Sequence, residues 1–199
     1  MLKAISKSIA RSKILNRFIN KSIPKNNFHS SYPATMRLPY APDTKEGLDS
    51  ETAAIYDRIA ARRAPRPLQA LDLTLFHSPN VADGWNSFLG AVRTKTSLPD
   101  DIREIAICRV AVLNGAAYEW NHHAPLAKNG GVSDVGMKSL GTPEVSGAEK
   151  WEGFSDKQWA VIRYADAMTK DVKVSEEVFA ELKKVFSDQE VVEITATVR

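Results

Sequence analysis

A chain of 199 residues, 43% hydrophobic and 26% charged, can bury a sizeable core, which excludes a disordered or fibrous protein. One cysteine excludes a disulfide-stapled scaffold, and 27 basic against 24 acidic residues give a formal charge of +3. That excess lies in the first residues: taking away the seven Lys and Arg between Met1 and Thr35 leaves 20 basic residues against 24 acidic, about −4, so basicity is no argument for a nucleic-acid partner.

No Asp or Glu precedes Asp43. Lys3, Lys7, Arg11, Lys13, Arg17, Lys21 and Lys25 are mixed with serines and with Ile5, Ile9, Ile14, Leu15, Phe18 and Ile19. Spacings such as Ile5/Ile9 and Leu15/Phe18/Ile19 describe a basic amphipathic helix, the composition of a mitochondrial transit peptide. Residues 1–35 are therefore expected to direct the protein to the matrix, with processing near Phe28 to Ser31; a basic arm on nucleic acid or a membrane surface is the alternative. No apolar run is long enough for a secretory core, and no stable membrane insertion is expected. A second translation start at Met36 would give a cytosolic form.

Residues 36–199 read as one helical domain. After a proline-bearing lead-in, Ser50 is expected to cap a helix from Glu51 to about Arg63, with Ala53, Ala54, Ile55, Ile59 and Ala60 inward. Arg62, Arg63 and Arg66 with Pro65 and Pro67 break it, as a solvated helix end or as a carboxylate-holding cluster. Leu68 to Phe76 is short and apolar and closes at His77-Ser78-Pro79. Asn80 is expected to cap Val81 to about Thr94, with Trp85, Phe88, Leu89 and Val92 inward. Pro99, Asp100 and Asp101 open a helix to Leu113 that is apolar around most of its circumference, as in a buried element. Asn114-Gly115 turns the chain into a second helix ending at Asn129, stopped by Gly130-Gly131.

Ser133 caps a short helix to Leu140, Ser155 caps Asp156 to Asp171, and Ser175 caps Glu176 to Phe186. Asp188 to Arg199 starts a helix whose stripe of Val191, Ile194 and Val198 stops without a cap. Either the reading frame is truncated or a neighbouring subunit completes the face. Strand-like alternation, a Gly-rich phosphate loop and internal repeats are all absent from the sequence, so the expected class is all-α.

The chemistry-bearing residues concentrate between Arg103 and Gly131. Glu104 is set in apolar surface, where a lone charge must find a partner or keep its proton. Glu119 and His123, four apart, share a face of the second helix, with His122 beside them. The tight turn brings Glu104 towards that face. A plainer reading has Glu119 and His123 as a surface pair and Glu104 bridged to Arg103 or Arg109; the flanking Tyr118 and Trp120 make a poor solvent face. Glu119 with His122 is half of a di-iron ligand set, but His29 and His77 lack the matching acid, and His122 and His123 point about 100° apart, so neither metal nor cofactor is expected. Cys108 reads as core. His77 either caps its turn or lines a pocket.

The order R-E-x-A-I-x-R-V-A-x-L-x-G-A-x-Y-E-W-x-x-H from Arg103 to His123, followed by G-G-V-S at Gly130 to Ser133, resembles the carboxymuconolactone decarboxylase family, whose all-helical superfamily includes the alkyl hydroperoxidase D-like proteins. The resemblance covers about Met36 onward. It implies the alkyl hydroperoxidase D-like fold, a homo-oligomer (trimer or hexamer), and a site at Glu104, Ala116, Glu119 and His123. In the sulfur-bearing branch Ala116 and Glu119 would be cysteines. A dithiol peroxidase needs both sulfurs, so the fold and the site location carry over and the peroxidase activity does not.

The resemblance further implies cofactor-independent decarboxylation of a small carboxylated lactone. His123 would be the general acid or base, Glu119 its orienting partner or a second proton carrier, and Glu104 the group fixing the imidazole tautomer. Tyr118 and Trp120 would wall the pocket and Arg109 or Arg103 would bind the substrate carboxylate. A non-catalytic helical oligomer that binds a ligand or partner, and peroxidase-related chemistry at Cys108, are the alternatives.

Overall fold

Side-chain caps from Asp49, Ser133, Ser155 and Ser175 and buried ion pairs at Arg63 and Arg109 fix the starts and packing of several described helices. The computed structural model describes residues 38–198; the expected targeting segment and the Met36 start lie outside them. The described residues are helical, with no strand among them, and divide into two compact units, 38–95 and 96–198.

The first unit holds α1 (Ser50–Arg63), α2 (Ala70–Leu75) and α3 (Pro79–Thr94). Asp49, not Ser50, caps α1: its carboxylate accepts from the N–H groups of Glu51 at 3.0 Å and Thr52 at 2.9 Å. Ser78 occupies the cap position of α3 with Pro79 in the first turn, where a missing N–H costs nothing, so the expected cap Asn80 falls inside the helix. Ile55, Tyr56, Ile59, Phe76 and Ala82 form the core, with the Tyr56 and Phe76 rings stacked at 3.5 Å. Two inward assignments are corrected. Ala54 and Ala60 are exposed, and α3 buries Ala82, Asn86, Leu89 and Val92, leaving Trp85 and Phe88 each 39% exposed.

Arg63 is buried at the end of α1 because Asp72 meets it with both oxygens, at 2.9 and 2.7 Å, and Asp72 also accepts the Gln69 N–H at 2.8 Å. His77 Nε2 donates to the Pro39 carbonyl at 2.7 Å, and Ala41 N–H to the Leu73 carbonyl at 3.1 Å, so the lead-in is tied to this unit.

The second unit is built around α4 (Asp100–Leu113), which is packed by α5 (Ala117–Asn129), α6 (Asp134–Leu140), α7 (Asp156–Asp166) and α9 (Asp188–Val198); α8 (Glu176–Val185) lies against α7 and α9. Ile102, Ile105, Ala106, Cys108 and Ala111 of α4 are buried on several sides, as its apolar circumference requires. At the turn, Gly115 adopts φ +66°, a conformation that penalises any side chain, and the Ala116 N–H returns to the Ala111 carbonyl at 2.7 Å.

Beyond Asp166 the expected straight continuation to Asp171 is a π-helical turn, Ala167–Asp171, closed by Val172 at φ 53°. Lys170 Nζ donates from that turn to the Leu113 carbonyl at 2.9 Å, satisfying an end of α4. Val191, Ile194 and Val198 of α9 are buried in the unit's own core. The unfinished face expected from the sequence is thus covered within the chain and gives no argument for a subunit contact. No described helix is long and apolar enough to cross a membrane.

Arg109 is fully buried, and every guanidinium N–H is used. It donates to both oxygens of Asp166 (Nη2 at 3.1 Å, Nε closer), to the carbonyls of Leu140 at 3.4 Å and Thr142 at 2.6 Å, and to that of Glu144. The Trp151 ring lies against it, 4.9 Å from Cζ to centroid. This corrects the expected substrate-carboxylate role of Arg109: it has no donor left, and its acid is Asp166, not Glu104. Replacing Arg109 with Leu leaves Asp166 buried and unpaired, so equilibrium urea unfolding is expected to show a loss of about 3–5 kcal/mol, while Arg109→Leu with Asp166→Leu recovers part of it.

Candidate active site

Glu104 sits mid-α4, and its carboxylate reaches across the turn to α5. There His123 Nδ1 donates to Glu104 Oε2 at 2.6 Å, with both side chains about 4–5% exposed. Two buried groups that would each be costly alone satisfy one another. Glu104 Oε1 also lies 3.3 Å from Arg103 Nε, and Arg103 Nη2 reaches Asp100 Oδ1 at 2.6 Å.

On the other side of the ring, His123 Nε2 lies 3.4 Å from Glu119 Oε2. The Glu119 side chain is 38% exposed, so the two nitrogens meet different worlds: Nδ1 is sealed against a buried carboxylate and Nε2 opens towards a half-exposed one. With the Nδ1 proton given to Glu104, a neutral ring carries its lone pair on Nε2. A gap of 3.4 Å is long for a hydrogen bond, and a proton arriving on either Nε2 or Glu119 makes the pair attractive. The convergence of Glu104, Glu119 and His123 expected from the sequence is present in the geometry. The two carboxylates address opposite nitrogens of one imidazole instead of a common point, and among the described residues no group of three or more His, Cys, Asp or Glu is placed to hold a metal ion.

The remaining candidates are distributed unevenly. Trp120 is half-buried against the main core. Tyr118 is 43% exposed, its ring 4.2 Å from that of His122, and His122 Nδ1 donates to the Tyr118 carbonyl at 2.8 Å. That tilted pair is an exposed flank of α5, with His122 held to the Tyr118 carbonyl and His123 to Glu104. His77 belongs to the first unit and holds Pro39; Arg109 is committed to Asp166. The participant missed from the sequence is Asp100. Its signal was there, an acid three residues before Arg103 on a helix, a spacing that puts the two side chains together.

Cys108 lies one turn after Glu104 and is fully buried. Burial pushes its thiol well above the ordinary value of 9.0, and the charges of Glu104 and Glu119 push in the same direction. A thiol so held is disfavoured as a thiolate, which weighs against sulfur chemistry at Cys108. Because the unfolded thiol ionises first as pH rises, its burial lowers stability only above about pH 9. There the difference between wild type and Cys108→Ala is expected to change by about 1.4 kcal/mol per pH unit in denaturant titrations, against the wild type. At about pH 8 iodoacetamide is expected to leave the native protein unmodified and to alkylate the unfolded chain.

Residues 79–139 match the model of the Carboxymuconolactone decarboxylase family. Among solved structures, a cysteine-to-alanine variant of the debrominase Bmp8 in complex with 2,3,4-tribromopyrrole is similar at a TM-score of 0.54 and 16% identity, covering 75% of each chain, a likeness that shows the fold. No curated protein matches. The match over residues 79–139, the helical fold and the motif order agree with the resemblance to the carboxymuconolactone decarboxylase family expected from the sequence.

Proposed function

We propose that Glu104, His123 and Glu119 form a proton-transfer centre that decarboxylates a small carboxylated lactone without a cofactor. The observation that carries this reading is the buried imidazole held between a sealed carboxylate at 2.6 Å and a half-exposed one at 3.4 Å. In the proposed reaction the bond to the substrate carboxylate breaks and carbon dioxide leaves. The electron pair is taken into the neighbouring carbonyl as an enolate, and one proton is delivered to carbon. His123 Nε2–H or the Glu119 acid gives that proton and regains it from water; Glu104 steadies the imidazolium, and Arg103 steadies Glu104. A relative of the same fold, the debrominase Bmp8, was crystallised with a small ring, 2,3,4-tribromopyrrole, which supports a ring-sized ligand.

Purified protein from Met36 onward, supplied with the carboxylated lactone, is expected to release carbon dioxide. His123→Ala, Glu119→Gln and Glu104→Gln should each lower the rate by about 10²–10⁴-fold with circular dichroism unchanged. Wild-type protein that binds the lactone without releasing gas would replace this reading with that of a ligand-binding oligomer. Residues 1–35 are carried forward as a matrix-targeting segment and the protein as a homo-oligomer. Native protein isolated from mitochondria is expected to begin near Phe28 to Ser31 and to sediment as a trimer or hexamer; an intact Met1 terminus, or a monomer, would refute the corresponding part.

A further inference from the structure

The sequence sets Arg62, Arg63 and Arg66 close together at the end of α1, and the structure shows that only one of them is neutralised. Asp72 is consumed by Arg63 through two hydrogen bonds and by the Gln69 N–H. The half-buried Arg62 runs along α3, its Cδ facing Gly90, and its Nε is held by the side-chain oxygen of buried Asn86, a neutral group. Its terminal N–H groups meet no acceptor among the described residues, and Arg66 has no side-chain hydrogen bond or ion pair among them.

We propose that Arg62 and Arg66 form an anion site for a phosphate dianion. The reasons are geometric. Anchored at Nε, the Arg62 fork is pre-organised, and it keeps two NH2 groups for a ligand. A single carboxylate is satisfied by one such fork, whereas a phosphate has oxygens left for a second guanidinium and two negative charges to set against clustered cations. Burial first, and then the neighbouring arginines, lower the Arg62 pKa, and Asp72 offsets this only in part. A nucleic-acid backbone is disfavoured by the net negative charge of the chain beyond residue 35. This site is independent of the proton-transfer centre and stands or falls separately.

Calorimetric titration of the protein with inorganic phosphate, and separately with phenyl phosphate, in low-salt buffer is expected to show saturable binding. Arg62→Gln or Arg66→Gln should weaken it at least tenfold, and Arg58→Gln, which loses only an exposed pair with Asp83, should leave it unchanged. Arg62→Lys keeps the charge but loses the fork and should also bind more weakly. Arg66→Gln must melt at the wild-type temperature in phosphate-free buffer, so its effect on binding cannot come from unfolding. Tighter binding of phenyl phosphate would identify a phosphomonoester as the ligand, and equal affinities would identify free phosphate. The proposal is overturned if phosphate binds no better than chloride, if Arg58→Gln weakens binding equally, or if a single-stranded oligonucleotide binds far more tightly than either phosphate.

Discussion

The bond from His123 to Glu104 is the constraint around which the second unit is arranged. Neither group tolerates burial alone, so α4 and α5 must be held in one register by everything else: the left-handed Gly115, the return of the Ala116 N–H to Ala111, and Lys170 on the last carbonyl of α4. A shift of α5 by one residue would move the imidazole about 100° around its helix and leave a carboxylate stranded in apolar surroundings. Local stability and site geometry are therefore one requirement.

Much of this was legible because it is local. Glu119 and His123 lie four apart, the Asn114-Gly115 bend is short, and the apolar circumference of α4 announces burial, so the meeting of Glu104 with His123 follows from three neighbouring elements. Arg109 was misread for the opposite reason. Its acid, Asp166, is 57 residues away, and its other partners are backbone carbonyls, which leave no trace in side-chain identity. On α3 the spacing that puts Leu89 and Val92 inward also fits Trp85 and Phe88, but Ala82 and Asn86 take those places. The stripe on α9 looked unfinished because its cover comes from helices distant in sequence.

Glu119 does more than leave position 119 without sulfur. A carboxylate at position 119 puts a second negative charge near the imidazole, and that charge, together with Glu104, also weighs against ionising Cys108. The same carboxylate that faces the imidazole thus also weighs against ionising the buried sulfur of Cys108.

The clamp made by Arg109 carries one more implication. It grips the 140–146 segment through the main-chain oxygens of Leu140, Thr142 and Glu144 and, by way of Asp166, through the Ser146 N–H. A grip of that kind reads the path of the chain and is blind to its letters. A residue added or deleted between Thr142 and Glu144 would therefore draw a carbonyl off its donor, whatever side chains the loop carries.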